Sequence, residues 1–275
     1  MKTLNILGCG RVGSTLGYLW REQGEFLIQD VHNTSVDSAH QAVQFMGAGR
    51  PVKNLEDMRT ADVWMVAVPD GQIASAAKQL AQHLDGNKPT IVFHCSGALA
   101  SDVMAPLHAR ACEIASAHCI LSFSAPSSAI TQFAGTPCAL EGDVGATKTL
   151  QPAFEAIGAK CFDLAAKEKV LYHAAAVFAT NFLPVLQVVA ADLWQSTGMP
   201  KELIAPLNAS LLQKAVQNIA AQGAAKALTG PAARGDMELV ALQGVAVTDW
   251  NADAGAAYAA LSQLASQIAK NGSIR

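Results

Sequence analysis

The stretch ILGCGRVG, residues 6–13, follows a short apolar run and admits two interpretations. It could belong to a lipoprotein signal that ends at Cys9, or to a glycine-rich loop that binds a phosphate. A secretory signal needs about 7–15 apolar residues behind a positively charged segment, but only residues 3–7 separate Lys2 from Gly8. A run of about five residues is instead typical of a β-strand. The stretch therefore predicts a strand, a tight turn and the start of a helix.

The glycines of this stretch match the pattern G-x-G-x-x-G. Gly8 permits a tight turn, Gly10 lets the backbone approach a pyrophosphate, and Gly13 lets the helix pack close to the strand. Free N–H groups at the start of the helix would bind the phosphates. We predict a dinucleotide site in which Arg11 and Val12 are also contacts. The alternative is a structural glycine turn without a ligand.

Composition excludes several classes of protein. The net charge is −3 and no basic block occurs, so we expect no nucleic-acid partner. The six cysteines lack metal-type spacing, which predicts no metal site and is typical of reduced thiols in a cytoplasmic protein. Even the apolar run from Ala174 is interrupted by Thr180, Asn181 and Pro184, short of the roughly 18 residues of a membrane span. We expect a soluble protein without a membrane partner.

The order of elements predicts two domains. Short apolar runs alternate with amphipathic stretches over residues 1–164, which indicates an α/β Rossmann-like domain with a doubly wound, mainly parallel sheet. Residues 165–275 are helical throughout and predict an all-α domain. Its first helix, over 165–198, is apolar on nearly every side, so other helices or a second subunit must cover it. We expect a homodimer through this domain, and a kink at Pro184 about one turn after Asn181.

The end of the second predicted strand selects between NAD and NADP. The acid that binds the ribose of NAD is expected about 18–20 residues after the last motif glycine, on residues 31–33, so that Asp30 lies slightly early. The loop that follows offers neutral or weakly basic donors from His32, Asn33 and Thr34, and no arginine. This composition favours NADP and leaves NAD possible.

Three further motifs are HCSGAL (94–99), YHAAAVFATN (172–181) and TGPAARGD (229–236). With the glycine loop, they make the chain resemble the Rossmann-like proteins that carry a C-terminal domain of unknown function 2520. These are relatives of ketopantoate reductase, pyrroline-5-carboxylate reductase and the β-hydroxyacid dehydrogenases. The resemblance covers nearly the whole chain and implies this fold and an NADP site, but no particular reaction.

The chain departs from that family pattern at two places. It has His32-Asn33-Thr34 where the family has a Ser-Arg-Ser-like loop, which puts recognition of a 2′-phosphate in doubt. It also has His118-Cys119 where the family has a His-Pro pair, so a rigid turn beside a candidate site residue is missing.

Candidate site residues follow the predicted strands, because ligands of doubly wound sheets lie outside the carboxyl ends of the strands. Val68 and Pro69 would flank the nicotinamide ribose. Ser96 and Gly97 would offer a hydroxyl and bare backbone to the substrate, as a Ser-Gly segment does in the resembling 6-phosphogluconate dehydrogenase-like proteins. The alternative for Ser96 is a helix cap. His118 is a candidate substrate contact or a structural histidine.

The first C-terminal helix carries polar residues at a four-residue spacing, Lys169, His173 and Asn181, with Val177 between the last two. Such residues share one ridge and are costly to bury without partners. In ketopantoate reductase and the β-hydroxyacid dehydrogenases, a Lys and an Asn one turn apart on the equivalent helix act as acid/base and substrate anchor. Val177 stands in that lysine position here.

We therefore predict His173 as the catalytic acid/base and Asn181 as the substrate anchor, about 12 Å apart along a regular helix. The alternative is a core histidine and an asparagine that ties helices together. Tyr172 points about 100° away from His173 and is predicted to pack.

Arg234 is suited to a bidentate grip on a carboxylate or phosphate, which predicts an anionic substrate. The alternatives are an ion pair with Asp236, or Asp236 as a helix cap. Together these features predict an NADP-dependent oxidoreductase that acts on a small carbonyl, imine or hydroxy compound. A second hypothesis is a non-catalytic, dinucleotide-binding redox sensor or partner-binding protein. Val177 in the lysine position and the unusual Cys119 favour it.

Overall fold

A computed structural model describes residues 1–274, which contain one eight-stranded sheet. Its strands are β1 (Lys2–Leu7), β2 (Phe26–His32), β3 (Arg50–Val52), β4 (Val63–Val66), β5 (Thr90–His94), β6 (Cys112–Cys119), β7 (Pro137–Gly142) and β8 (Lys160–Asp163). The order across the sheet is β3-β2-β1-β4-β5-β6-β7-β8. All neighbouring strands are parallel except β6 and β7, which are antiparallel. The predicted mainly parallel, doubly wound sheet is confirmed.

Six helices accompany the sheet within residues 1–178: α1 (Arg11–Gln23), α2 (Val36–Met46), α3 (Asp70–His83), α4 (Pro126–Gln132), α5 (Val144–Ala156) and α6 (Lys169–Ala176). The segment Ser101–Arg110, between β5 and β6, forms a 3-10 helix and not an α-helix. Pro106 lies inside it and has no N–H to donate to a helical ladder.

The buried residues form two clusters that include alternate side chains of the same strands, such as Met65 in one and Trp64 in the other. Trp20 is the centre of the larger cluster, where its ring meets those of Phe26, Phe93 and Phe154 at 5.2, 6.2 and 5.0 Å between centroids. The Trp20 indole N–H donates to the carbonyl of Ala153 at 2.8 Å. These contacts fix α1, and with it the glycine-rich loop, against the sheet.

The chain divides into two compact units, Met1–Phe178 and Ala179–Arg275. The second unit is helical: α7 (Phe182–Ser196), α8 (Lys201–Gln222), α9 (Ala224–Ala227), α10 (Pro231–Arg234), α11 (Met237–Trp250) and α12 (Ala252–Asn271). Within it, the Asn208 amide accepts from the Trp194 indole and donates to the carbonyl of Gln187, which ties α8 to α7. The assignment of residues 165–275 to one separate domain stays a prediction.

A π-helix, Val177–Asn181, separates α6 from α7. Pro184 follows it and cannot donate to the carbonyl of Thr180, so the irregular turn precedes the proline instead of following Asn181 as predicted. The four-residue ridge assumed an uninterrupted α-helix. That spacing therefore holds within α6, for Lys169 and His173, but gives no ridge through residue 181.

The segment Ala166–Ser196 is long and apolar enough, by length and composition only, to cross a membrane. We had expected its polar interruptions to exclude this, but Thr180 and Asn181 are too few to change the average composition. The segment's most apolar part is not buried. One such helix is weak evidence for a membrane, because a helix covered by another protein chain has the same composition.

Candidate functional site

A cavity of about 800 Å³ lies where β1 has β2 on one side and β4 on the other. This is the switch point of a doubly wound sheet, where ligands bind. The predicted cofactor contacts that line it are Gly8, Gly10, Arg11, His32, Asn33, Thr34, Val68 and Pro69. Val12 and Gly13, also predicted as contacts, lie outside the lining. The Val12 side chain instead packs against the buried core.

Each glycine of the loop has a distinct structural reason. Gly8 has a φ of +80°, and a Cβ there would lie 2.6 Å from Val68 Cγ1 and 2.9 Å from the carbonyl carbon of Ala67. A Cβ on Gly13 would lie 3.2 Å from the Gly8 carbonyl oxygen, so this glycine serves the close packing of helix on strand. A Cβ on Gly10 would meet no heavy atom within 4 Å. Gly10 therefore faces open space, as expected beside a ligand.

Cys9 turns into the protein. Its Sγ lies 3.6 Å from Ser14 Oγ. The side chain is buried, and burial raises the pKa of the thiol to about 12. The Cys9 N–H donates to Asn33 Oδ1 at 2.6 Å, so Asn33 fixes the glycine loop, a role that sequence reasoning missed. The helix that follows has neither a side-chain cap nor an acidic residue in its first turn. Its free N–H groups remain available to an anion.

Asp30 is not available to a ribose. It is fully buried and accepts hydrogen bonds from Arg50 at 2.9 Å and from Arg59 at 2.7 Å. Burial alone would raise the pKa of Asp30, but the hydrogen bonds from Arg59 and Arg50 outweigh it and lower the pKa to about 2. Within the described residues, the cavity lining contains no carboxylate and one arginine, Arg11. This charge pattern suits a phosphorylated ligand.

The loop after β5 is organised by His94. The backbone N–H of Ser96 donates to His94 Nδ1 at 3.1 Å, so the proton of the imidazole lies on Nε2, which bonds the Ala100 carbonyl at 3.2 Å. Burial lowers the pKa of His94 to about 4, which keeps the ring neutral. His94 is therefore a structural residue.

The hydroxyl of Ser96 is fully used within the protein. It donates to Asp70 Oδ2 at 2.8 Å and accepts from the N–H groups of Ala98 and Leu99. One donor and two acceptors are all that a hydroxyl offers. These bonds cap the turn and tie the loop to α3, and the catalytic role of Ser96 stays a prediction.

Lys169 is buried and joins α6 to the loop after β5 and to the middle of β6. Its ammonium donates to the Ser96 carbonyl at 3.1 Å and to Ser116 Oγ at 2.5 Å. Burial lowers the pKa of Lys169. The sequence showed this lysine as one member of a polar ridge, but its partners lie 73 and 53 residues away along the chain, so its role could not be predicted.

Two histidines meet beside Gly97. The rings of His118 and His173 lie 5.8 Å apart, and a Cβ on Gly97 would lie 2.6 Å from His173 Nδ1 and 2.8 Å from His118 Nε2. Only glycine leaves room for both imidazoles. Tyr172 was predicted to pack elsewhere, but its hydroxyl lies 2.8 Å from His118 Nδ1. Side chains 100° apart on α6 reach the same residue because His118 lies between them.

The remaining predicted residues belong to the second unit. Asn181 is exposed and accepts from the Thr180 hydroxyl at 2.8 Å. Arg234 is exposed at the end of α10, and the ion pairs formed within residues 1–274 do not include one with Asp236. Asp236 instead caps α11 by accepting from the Leu239 N–H at 3.3 Å. In the part of the chain that the structure describes, no three His, Cys, Asp or Glu side chains are grouped to hold a metal ion.

Two family models match consecutive parts of the chain. Residues 2–119 match a Rossmann-like domain, and residues 136–265 match the domain of unknown function DUF2520. The chain is a Rossmann-like protein with a DUF2520 domain. No curated protein is significantly similar to it in sequence.

Solved structures share the fold of this DUF2520 protein over nearly its whole length. A protein from Thermotoga maritima is 25% identical, with a TM-score of 0.74 over 98% of this chain and 99% of that chain. The Aspergillus terreus reductive aminase, in complex with NADPH and ethyl-5-oxohexanoate, is 15% identical, with a TM-score of 0.62 over 99% and 95%. The Plasmodium falciparum pyrroline carboxylate reductase with NADP bound is 13% identical, with a TM-score of 0.56 over 96% and 98%.

Gly8 and Gly10 of the loop are expected to differ in how much a substitution by alanine destabilises the protein. Gly8→Ala places a methyl group against Val68 and the backbone at a positive φ, so it should lower the free energy of unfolding by about 1–3 kcal/mol. Gly10→Ala meets no neighbour and should change it by less than about 0.5 kcal/mol. Urea denaturation of both variants measures the difference, and equal losses for the two would contradict this account of the loop.

Proposed function

We propose that this protein is an NADP-dependent oxidoreductase that transfers a hydride to or from a small carbonyl, imine or hydroxy compound. The observation that carries the proposal is the cavity at the β1/β4 switch point. Its lining contains no carboxylate, and the backbone at Gly10 and the free N–H groups at the start of α1 are open to a ligand there. A buried acid at Asp30 and an acid-free loop favour a 2′-phosphate over a free ribose hydroxyl. The NADPH and NADP complexes of two proteins with this fold add support.

The reacting end of the cofactor is proposed to lie beside Gly97, next to His118 and His173. Hydride transfer needs a group that supplies or removes a proton at the substrate heteroatom. Imidazoles at the carboxyl ends of β6 and α6 are suited to this task, and His173 Nδ1 is buried without a hydrogen-bond partner within residues 1–274. Arg234 as a contact for an anionic substrate and Asn181 as a substrate anchor stay predictions.

Calorimetric titration with NADPH and NADH tests the cofactor assignment. We expect NADPH to bind at least about tenfold more tightly than NADH. Thr34→Asp places a carboxylate in the cavity lining and should weaken NADPH binding while leaving NADH binding nearly unchanged, because it repels the additional phosphate. Thr34→Asn is the matched neutral control and should retain the preference. Tighter binding of NADH, or binding of neither, would contradict the proposal.

Turnover separates the enzyme from a non-catalytic redox sensor. The sensor hypothesis rests on Val177, which cannot move a proton. The enzyme should oxidise NADPH, followed at its absorbance maximum, with at least one member of a panel of small carbonyl and imine acids. Binding of NADPH without oxidation across the panel would favour the sensor.

We also propose a cytoplasmic homodimer in which a second copy covers the apolar faces of α7 and α8. The exposed residues on these helices include Phe182, Val185, Leu186 and Val188 on α7, and Leu203, Leu211, Val216 and Ile219 on α8. Exposed apolar area of this extent is typical of an interface. Size-exclusion chromatography with light scattering, without detergent, should give twice the chain mass of 28.6 kDa. A monomer, or a protein that stays in solution only with detergent, would contradict the dimer.

A further inference from the structure

We propose that Tyr172 orients His118 as a proton donor, so that the His118 Nε2–H group faces the ligand beside Gly97 and Tyr172 resupplies its proton. Tyr172 is a positioning residue in this arrangement, and His118 is the group that touches the substrate. The inference rests on the proposed function for the reaction itself, but the hydrogen-bond arrangement belongs to the protein alone.

The direction of the hydrogen bond between Tyr172 and His118 follows from the basicity of its two atoms. Tyr172 Oη and His118 Nδ1 are 2.8 Å apart, with ring planes at 88°. An unprotonated imidazole nitrogen is a far stronger base than a phenol oxygen, so the phenol donates and Nδ1 accepts. A neutral imidazole carries one hydrogen, which then lies on Nε2.

The surroundings keep both partners in their neutral forms. Burial lowers the pKa of His118 to about 4, and its electrostatic interactions with His173 and with the ammonium of Lys169 act in the same direction. Asp70, at the start of α3, opposes them but does not reverse the shift. Burial also raises the pKa of Tyr172, so the phenol keeps its proton at neutral pH.

The free end of His118 faces a space that only glycine leaves open. A Cβ on Gly97 would lie 2.8 Å from His118 Nε2 and 2.6 Å from His173 Nδ1, so both nitrogens converge on this side of the residue. The backbone there is held by Lys169, which donates to the Ser96 carbonyl. A substrate oxygen or nitrogen beside Gly97 would therefore meet a donor from β6 and an unpaired imidazole nitrogen from α6.

The proton and electrons balance in the reducing direction. The hydride leaves the reduced nicotinamide with the electron pair of its C–H bond and forms a C–H bond at the substrate carbon. The π electrons of the C=O or C=N bond pass to the heteroatom, which takes the proton from His118 Nε2. His118 Nδ1 takes the phenol proton of Tyr172 as Nε2 gives up its own. Water then returns one proton to Nε2, and Nδ1 passes its proton back to Tyr172, which restores the starting Nε2–H form.

NMR of protein labelled with ¹⁵N at histidine tests the arrangement without a substrate. In the unaltered protein, His118 should show a protonated Nε2, an unprotonated Nδ1, and titration near pH 4. In Tyr172→Phe the donor to Nδ1 is lost, so the preference for the Nε2–H form should weaken and the pKa of His118 should rise. Tyr258→Phe, which removes a tyrosine hydroxyl bonded to Gln243, is the control and should change neither property.

Two results would overturn the proposal: a proton on Nδ1 of His118 in the unaltered protein, or an unchanged tautomer and pKa in Tyr172→Phe. Where turnover is measurable, Tyr172→Phe should lower kcat by about tenfold or more with little change in NADPH affinity. Failure of the proposed function is distinguishable, because it appears as absent dinucleotide binding while the tautomer of His118 is unaffected.

Discussion

The close approach of the backbone at Gly8 is the constraint from which the cofactor half of the site follows. A left-handed conformation and the contact with Val68 and Ala67 bring the ends of β1 and β4 together. The chain then turns directly into α1, whose free N–H groups open on the cavity. Trp20 holds that helix against the sheet, so the loop is fixed by packing on one side and by Asn33 on the other.

The second half of the site depends on a buried ammonium. Lys169 binds the Ser96 carbonyl and the Ser116 hydroxyl and thereby joins α6 to the loop after β5 and to β6. A buried lysine is tolerated because these oxygens accept its hydrogens. Its position brings Tyr172 and His173, on the same helix, to either side of His118. The polar residues of this unit therefore have two roles. Lys169, Ser96 and His94 hold the backbone around Gly97 in place, and His118 and His173 lie beside that backbone.

Much of the cofactor half could be predicted from the sequence, because its determinants are local. A glycine pattern between a strand and a helix fixes backbone geometry over a few residues, and the early position of Asp30 already placed it outside the ribose site. The partners of Asp30 could not be predicted, since Arg50 and Arg59 reach it from another strand and a loop.

The imidazole cluster could not be predicted for a related reason. Helical spacing gives the direction of a side chain relative to its own helix, but not what packs there, so Tyr172 was assigned to packing. The ridge through Asn181 failed because a π-helix breaks the regular spacing ahead of Pro184. The three hydrogen bonds of the Ser96 hydroxyl could not be predicted either, because they depend on the fold around β5 and α3.

A crystal structure with NADP⁺ bound tests the central claim most directly. The account predicts the pyrophosphate on the glycine loop, the 2′-phosphate beside Thr34, and the nicotinamide ring near Gly97, with space for a small molecule between its C4 atom and His118 Nε2. A ring placed away from Gly97, or a cavity that stays empty at saturating NADP⁺, would contradict it.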